Sequence, residues 1–318
     1  MFTSIPVVKK IIRNYLKNKY EKFPKLISIE ITSACNAKCV MCPRDQLTRK
    51  IQHMPLEVFD KIIYDCKDRP LKKINLFWFG DPLCNPNVIY YLEKIRKELP
   101  KIKIYVSTNA ELLDQNKSDE IIKRNLIDVI NFDIDGINKE TYEKIRIGVD
   151  FERVFKNVHY FIDKRRRLHN KKPQIRATII KMNGTANEID EFKSYWSKHV
   201  DKVDVNDYNT WLGNKEDNNI GSALEKSQHG CFKYPCIHPW TELVFSADGI
   251  AGLCCLDYNL TARLGSVLDK SVEEIWKGKA LDKYRQRMIN LEYEKINCCK
   301  RCNAYIYQDG KTWAKLWG

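Results

Sequence analysis

From residue 26 to residue 208 the chain alternates short runs rich in β-branched and aromatic residues with longer stretches whose apolar residues return at helical spacing. This alternation predicts a parallel sheet wound by crossover helices, because parallel neighbours need a connection long enough to bring the chain back to the same end of the sheet. The predicted strands are 26–31, 74–79, 102–107, 129–134, 175–180 and 203–208, and the predicted helices 56–66, 88–99, 118–126, 151–168 and 188–199. Six such units within residues 26–212 fall short of the roughly 250 residues of a closed eight-unit barrel. The expected fold is therefore α/β, an open partial (β/α)6 barrel of the TIM type whose side opening another segment must cover.

Both flanks of this region break the rhythm. Ile5, Val8, Ile11, Ile12, Tyr15 and Leu16 recur near helical spacing among Lys9, Lys10, Arg13 and Lys17. Residues 1–25 are thus expected to supply a basic amphipathic helix that packs on the main domain, with membrane-surface or partner binding as the alternative. Residues 213–230 are polar and rich in Asn, Gly and Ser, a linker composition. Residues 231–318 hold seven of the twelve cysteines and one clear helical stretch, 272–288. A metal, more than a large apolar core, is expected to organise that region.

Composition narrows the classes. Hydrophobic residues make up 43% of the chain, enough for a sizeable core, and the charged residues carry both signs along its length. The net charge of +14 points to an anionic partner, and an anionic small-molecule substrate is one such partner. The basic run at 164–172 could touch nucleic acid, but it falls where a helix should end, and no RNA-binding motif or aromatic platform accompanies it. Trp196, Trp211, Trp240 and Trp276 read as core or hinge aromatics. No apolar stretch is long enough to span a bilayer and no signal peptide precedes the first helix. A cytoplasmic location follows, and in a reducing compartment so many cysteines argue for metal or redox chemistry over disulfides.

The cysteine spacings carry the chemistry. Cys35, Cys39 and Cys42 form a CxxxCxxC loop directly after the first strand. Three thiolates so close can hold one face of an iron–sulfur cube and leave one iron without a protein ligand. Zinc is the alternative, although only His53 lies nearby as a fourth ligand.

With Met41 at its hydrophobic position, this loop resembles the CxxxCxΦC motif of the radical S-adenosylmethionine enzymes. The resemblance implies a 4Fe-4S cluster on Cys35, Cys39 and Cys42 whose open iron is chelated by S-adenosylmethionine. Gly80 and Asp81, within Phe79-Gly80-Asp81-Pro82, resemble the family's GGEP segment for the cofactor's amino group, with Phe79 and Asp81 as departures. Ser107 and Asn109 belong to a segment similar to TNG, with Ala110 replacing its glycine. Asp135 and Arg146 lie in a stretch, 133–146, that resembles the family's segment after the fourth strand. Taken alone, Asp133 and Asp135 read as an ordinary strand end, with a divalent-metal pair as the lesser alternative, and Arg146 could be a surface arginine.

The C-terminal cysteines extend the resemblance to the family's SPASM, or twitch, extension. It nominates Cys236, Cys254, Cys299 and Cys302 as ligands of an auxiliary 4Fe-4S cluster; a zinc ribbon is the alternative reading. Cys231, Cys255 and Cys298 stay unassigned, and Cys66 and Cys84 read as packing residues. Cys255 stands where some epimerases of the family keep a hydrogen-atom donor, though an inert thiol or alternate ligand fits it as well.

The resemblance implies an enzyme that reductively cleaves S-adenosylmethionine to a 5′-deoxyadenosyl radical, with an electron donor such as flavodoxin or ferredoxin. Oxidation of a polar small molecule, such as a sugar or aminocyclitol, is the expected outcome. Epimerisation through Cys255 and peptide maturation are the other routes; residues 1–25 offer only one helix for a leader peptide. A basic, zinc-containing nucleic-acid-binding protein is the reading from a different class.

Overall fold

A computed structural model of the chain describes residues 6–20, 22–215 and 235–302. Most of the expected linker and Cys231 lie outside the described residues. Helix α1 (Pro6–Tyr20) is followed by β1 (Leu26–Ile29), α2 (Leu56–Asp65), β2 (Lys73–Asn75), α3 (Val88–Glu98), β3 (Lys103–Thr108), α4 (Gln115–Lys123) and β4 (Val129–Asp133). Then come α5 (Lys139–Ile145), α6 (Phe151–Arg167), β5 (Gln174–Lys181), α7 (Ile189–Trp196) and β6 (Lys202–Asp207). The C-terminal part contains α8 (His238–Thr241), β7 (Glu242–Phe245), β8 (Ile250–Gly252), β9 (Arg263–Ser266), α9 (Val272–Trp276) and α10 (Lys279–Ile289).

The strands form one sheet in the order β6-β5-β4-β3-β2-β1-β7-β8-β9. Pairing is parallel from β6 to β7 and antiparallel beyond. The edge of β1 that a partial barrel leaves open is taken by β7, with Leu26 opposite Glu242 and Ile29 opposite Phe245. This continuation revises the expectation that metal, not apolar packing, organises the C-terminal part. Trp240, Leu243, Phe245, Leu253, Trp276 and Met288 join the same buried core as the barrel strands, because strand pairing carries the hydrophobic layer across.

Strand alternation sorts the side chains. Ile27, Ile29, Ile74, Ile104, Val106, Ile130, Phe132, Ile175 and Ile179 are buried in the apolar core, each worth about 1.5–3 kcal/mol relative to exposure. The other face is polar, with Ser28, Asn75, Ser107, Asn131, Asp133, Thr178 and Asp204 among its residues. Such an interior suits polar ligands.

Three elements depart from expectation. The second strand stops at Asn75, and further on the chain passes so close to the loop after β1 that a Cβ on Gly80 would stand 2.1 Å from the carbonyl oxygen of Thr32. The stretch 272–288 is two helices, because Gly278 adopts an extended conformation between them, and a Cβ there would meet Glu274 O at 2.9 Å. Helix α5 is an addition, started by the Asn138 side chain accepting from Thr141 N. The basic run at 164–172 proves to be an ion-paired helix end, with Lys164 on Asp119, Arg165 on Asp201 and Lys172 on Asp128. Helix α1 buries Ile12 and Leu16 and packs against α8 and α10. Among the described residues no helix is long and apolar enough to cross a membrane.

Candidate active site

The loop after β1 is fastened before it reaches its first cysteine. Thr32 Oγ1 accepts from Ala34 N, and Ser33 N donates to Gln52 O. Further along, Lys38 N donates to Ile147 O and Val40 N to Ile145 O, so the end of α5 holds the loop's middle. Cys42 N closes a turn on Cys39 O at 3.0 Å. The Arg44 guanidinium donates back to Ser33 O, Cys35 O and Ala37 O. His53 pairs with Thr32 Oγ1 through Nδ1 at 2.8 Å and does not line the cavity that the three cysteines share, which leaves the zinc reading without a fourth ligand there.

Cys35, Cys39 and Cys42 line one cavity of about 420 Å³ at the C-terminal ends of the strands, where βα loops converge in barrel enzymes. Met41, Gly80, Asp81, Ser107, Asn109 and Arg146 line it with them. Asp135 stands behind the wall, where it accepts from Ile180 N at 2.6 Å and pairs with Arg146. Its backbone is left-handed at φ +60°. Arg146 Nη1 reaches Cys39 Sγ at 3.6 Å. Burial works against the charge on Arg146, but Asp135 and Cys39 hold its pKa well above the usual value.

Asp81 is buried and richly supplied with donors: Thr108 Oγ1 and Asn109 N at 2.8 Å and Leu83 N at 2.9 Å. Burial raises its pKa, with those hydrogen bonds pulling the other way. Asp133 accepts from Ser107 Oγ and Asn131 Nδ2, both at 2.7 Å, and burial lifts its carboxyl to about 6.

Burial also pushes Cys42 up to about 12 and raises Cys35 and Cys39. Three soft sulfur donors turned into one polar cavity, with charges nearby that draw them toward thiolate, fit an iron–sulfur cluster with an open iron.

Sequence reading missed the rest of the wall. Phe77, Trp78, Tyr105 and Trp211 give it aromatic faces, and Asn131, Arg176, Thr178, Asp204 and Asn206 give it polar groups. Trp211, expected as a core or hinge residue, donates Nε1–H to Met41 O at 2.7 Å. Period-two alternation along β3 to β6 was the available signal, since Ser107, Asn131, Asp133, Arg176, Thr178, Asp204 and Asn206 recur at alternate positions.

A second set of thiols gathers on the far side. Cys236, Cys254, Cys299 and Cys302 line a smaller, apolar cavity with Leu253, Pro239, Met288, Tyr293 and Cys298. Cys236 N donates to the Tyr293 hydroxyl at 2.7 Å, and Cys302 N to Cys299 O at 3.2 Å. Four thiols with dry surroundings fit a fully ligated cluster. Cys255 does not line the first cavity. Its thiol lies within 4.8 Å of the ligand atoms of His238 and Glu242, and its carbonyl accepts from Trp78 Nε1 at 2.5 Å. From there a polar thread crosses to the barrel: His238 Nδ1 to Glu242 at 2.9 Å, Ser28 Oγ to Glu242 at 2.9 Å, and Asn75 Nδ2 to Ser28 at 3.1 Å.

Comparison with known proteins covers both regions of the chain. The radical SAM superfamily pattern matches residues 29–191, and that of an iron-sulfur cluster-binding domain, SPASM, residues 236–303. A GTP 3′,8-cyclase of Desulforamulus reducens is 26% identical over 144 residues, which cover 44% of this chain and 43% of that protein. A tungsten-containing aldehyde ferredoxin oxidoreductase cofactor-modifying protein of Pyrococcus furiosus is 27% identical over 176 residues, 54% of this chain and 48% of its own. The chain spans about half the length of the curated relatives it matches. Among solved structures, BtrN in complex with AdoMet and 2-DOIA aligns with TM-score 0.59 at 17% identity, covering 89% of this chain and 94% of its own. Streptococcus suis SuiB bound to precursor peptide SuiA aligns with TM-score 0.70 at 15% identity, covering 93% and 74%. At such identities these structures speak for the fold alone. The chain belongs to the radical SAM superfamily, with its 4Fe-4S cluster and S-adenosylmethionine, and it carries a C-terminal SPASM domain for auxiliary iron–sulfur chemistry.

Proposed function

We propose that this enzyme oxidises an alcohol or amine carbon of a small, hydroxyl-rich molecule such as a sugar or aminocyclitol. Cys35, Cys39 and Cys42 would hold the cluster that binds S-adenosylmethionine, and Cys236, Cys254, Cys299 and Cys302 the auxiliary one. When bound, the first cluster and its cofactor supply the 5′-deoxyadenosyl radical that removes a substrate hydrogen atom. The protein's contribution is placement and exclusion of water.

The observation that carries this reading is the cavity wall, where aromatic faces alternate with short polar side chains. Phe77, Trp78 and Tyr105 can cover the C–H face of a ring while Asn131, Thr178 and Asn206 meet its hydroxyls. Three arginines on the wall, Arg44, Arg146 and Arg176, stand against three aspartates, Asp81, Asp133 and Asp204. That balance favours a neutral or zwitterionic substrate over a strongly anionic one. A second cluster held by four thiols would suit an acceptor for the second electron.

The test is anaerobic incubation with S-adenosylmethionine, a reductant and a panel of polyols and amino sugars. A substrate that stimulates 5′-deoxyadenosine and emerges as a ketone, aldehyde or imine meets the expectation. A product at unchanged oxidation level that has acquired solvent deuterium, lost in Cys255→Ser, would establish epimerisation instead. The hydrogen bond from Trp78 to the Cys255 carbonyl, one residue behind the wall, is what keeps that second reading open.

A further inference from the structure

We infer that Arg44 is a positioning residue for the cluster-binding loop and that its charge helps set the reduction potential of the cluster held there. Residues 33–42 contain no strand or regular helix, so their carbonyls must find donors elsewhere. One guanidinium meets three of them: Nη2 donates to Ser33 O at 3.1 Å, and Nη1 to Cys35 O at 3.2 Å and Ala37 O at 3.5 Å. Its planar fork can do this from a single side chain, whereas an ammonium offers no such fixed geometry. Pro43 begins the short turn that carries Arg44 and limits the backbone just after Cys42, so the side chain is launched back toward the loop.

The charge has a second consequence. Arg44 lines the cavity beside the three cysteines, and its guanidinium is held there by its bond to Cys35 O. Arg146 approaches Cys39 from the other side, but its charge is matched by Asp135. Among the described residues Arg44 has no carboxylate partner, and Asp45 beside it pairs with Lys215. Its buried Nε–H meets no acceptor among the described residues. An unmatched cation beside a cluster stabilises the reduced, more negative state and raises its potential.

The experiment is a redox titration of the anaerobically reconstituted, full-length enzyme, followed by electron paramagnetic resonance. S-adenosylmethionine identifies the first cluster by perturbing its signal, and the auxiliary cluster serves as an internal reference. In Arg44→Gln the reduced-to-oxidised ratio of the first cluster at fixed poise should fall about tenfold, equivalent to about 59 mV for one electron. Arg44→Lys should keep a near-native potential yet lose first-site iron to a chelator faster than the native enzyme. The auxiliary signal should be unchanged in both. Native potential and native chelator resistance in Arg44→Gln would overturn the inference. So would loss of both clusters together in Arg44→Lys, which would show a general folding role.

Discussion

The two thiol-lined cavities hold the same kind of donor in opposite surroundings. Around Cys35, Cys39 and Cys42 the wall is polar, roomy and carries both signs of charge, and these three are its only cysteines among the described residues. Around Cys236, Cys254, Cys299 and Cys302, with Cys298 beside them, there are five thiols, mostly apolar packing and little space. A metal centre with a vacant position and room beside it can bind and transform a ligand, while one closed by its own protein ligands is left to carry electrons or hold the fold. The difference comes from the elements around the thiols. The first set stands on a loop at the strand ends, and the second is squeezed between β8, α8 and the turn after α10.

Predictions that break or sharpen this contrast run from loss of turnover to a small change in stability. Cys39→Ala should reduce 5′-deoxyadenosine formation to background and remove the iron of the first site; persistence of cleavage would end the distinction. Cys302→Ala should retain 5′-deoxyadenosine formation yet lose substrate oxidation and the auxiliary signal, as seen by iron analysis and product mass. Gly80→Ala forces a Cβ to within 2.1 Å of the Thr32 carbonyl oxygen. It should lower stability by at least the ~1–3 kcal/mol of ordinary overpacking, measured by thermal melting.

Asp133 gives the first cavity a pH signature of its own. Its carboxyl sits at about 6, above its ordinary 3.8. A ligand hydroxyl donating to it should therefore bind more tightly above about pH 6 and roughly tenfold more weakly once the group is protonated. The same shift means that its stabilising contribution is present below pH 3.8 and lost as pH rises through 6. Asp133→Asn should abolish both slopes in binding and melting profiles. The smallest effect belongs to the thread behind the second site: Ser28→Ala removes one donor from buried Glu242 and should cost about 1 kcal/mol by chemical denaturation.

The barrel rhythm and the two cysteine sets were legible because each writes itself locally, in strand-length apolar runs and in thiols a few residues apart. The pairing of β1 with β7 was not, since their partners are separated by more than two hundred residues and Glu242–Phe245 is too short to announce itself. Asp135 was placed with the cofactor by motif, whereas the fold uses it behind Arg146. Arg44 carried no signal beyond its nearness to Cys42, because a guanidinium that gathers carbonyls looks in sequence like any surface arginine. The wall residues Tyr105, Arg176 and Asp204 were hidden for a similar reason: a polar interior reads as an exposed strand face until the sheet is seen to curve round a cavity.

The pairing of β7 on β1 bears on how the protein can be divided. Cutting the chain ahead of Glu242 would strip β1 of a complete row of main-chain partners. The resulting fragment would present a bare, adhesive rim inviting self-association. Recombination that swaps C-terminal modules between relatives must therefore carry a strand able to dock on β1, or solubility will fail before chemistry can be tried.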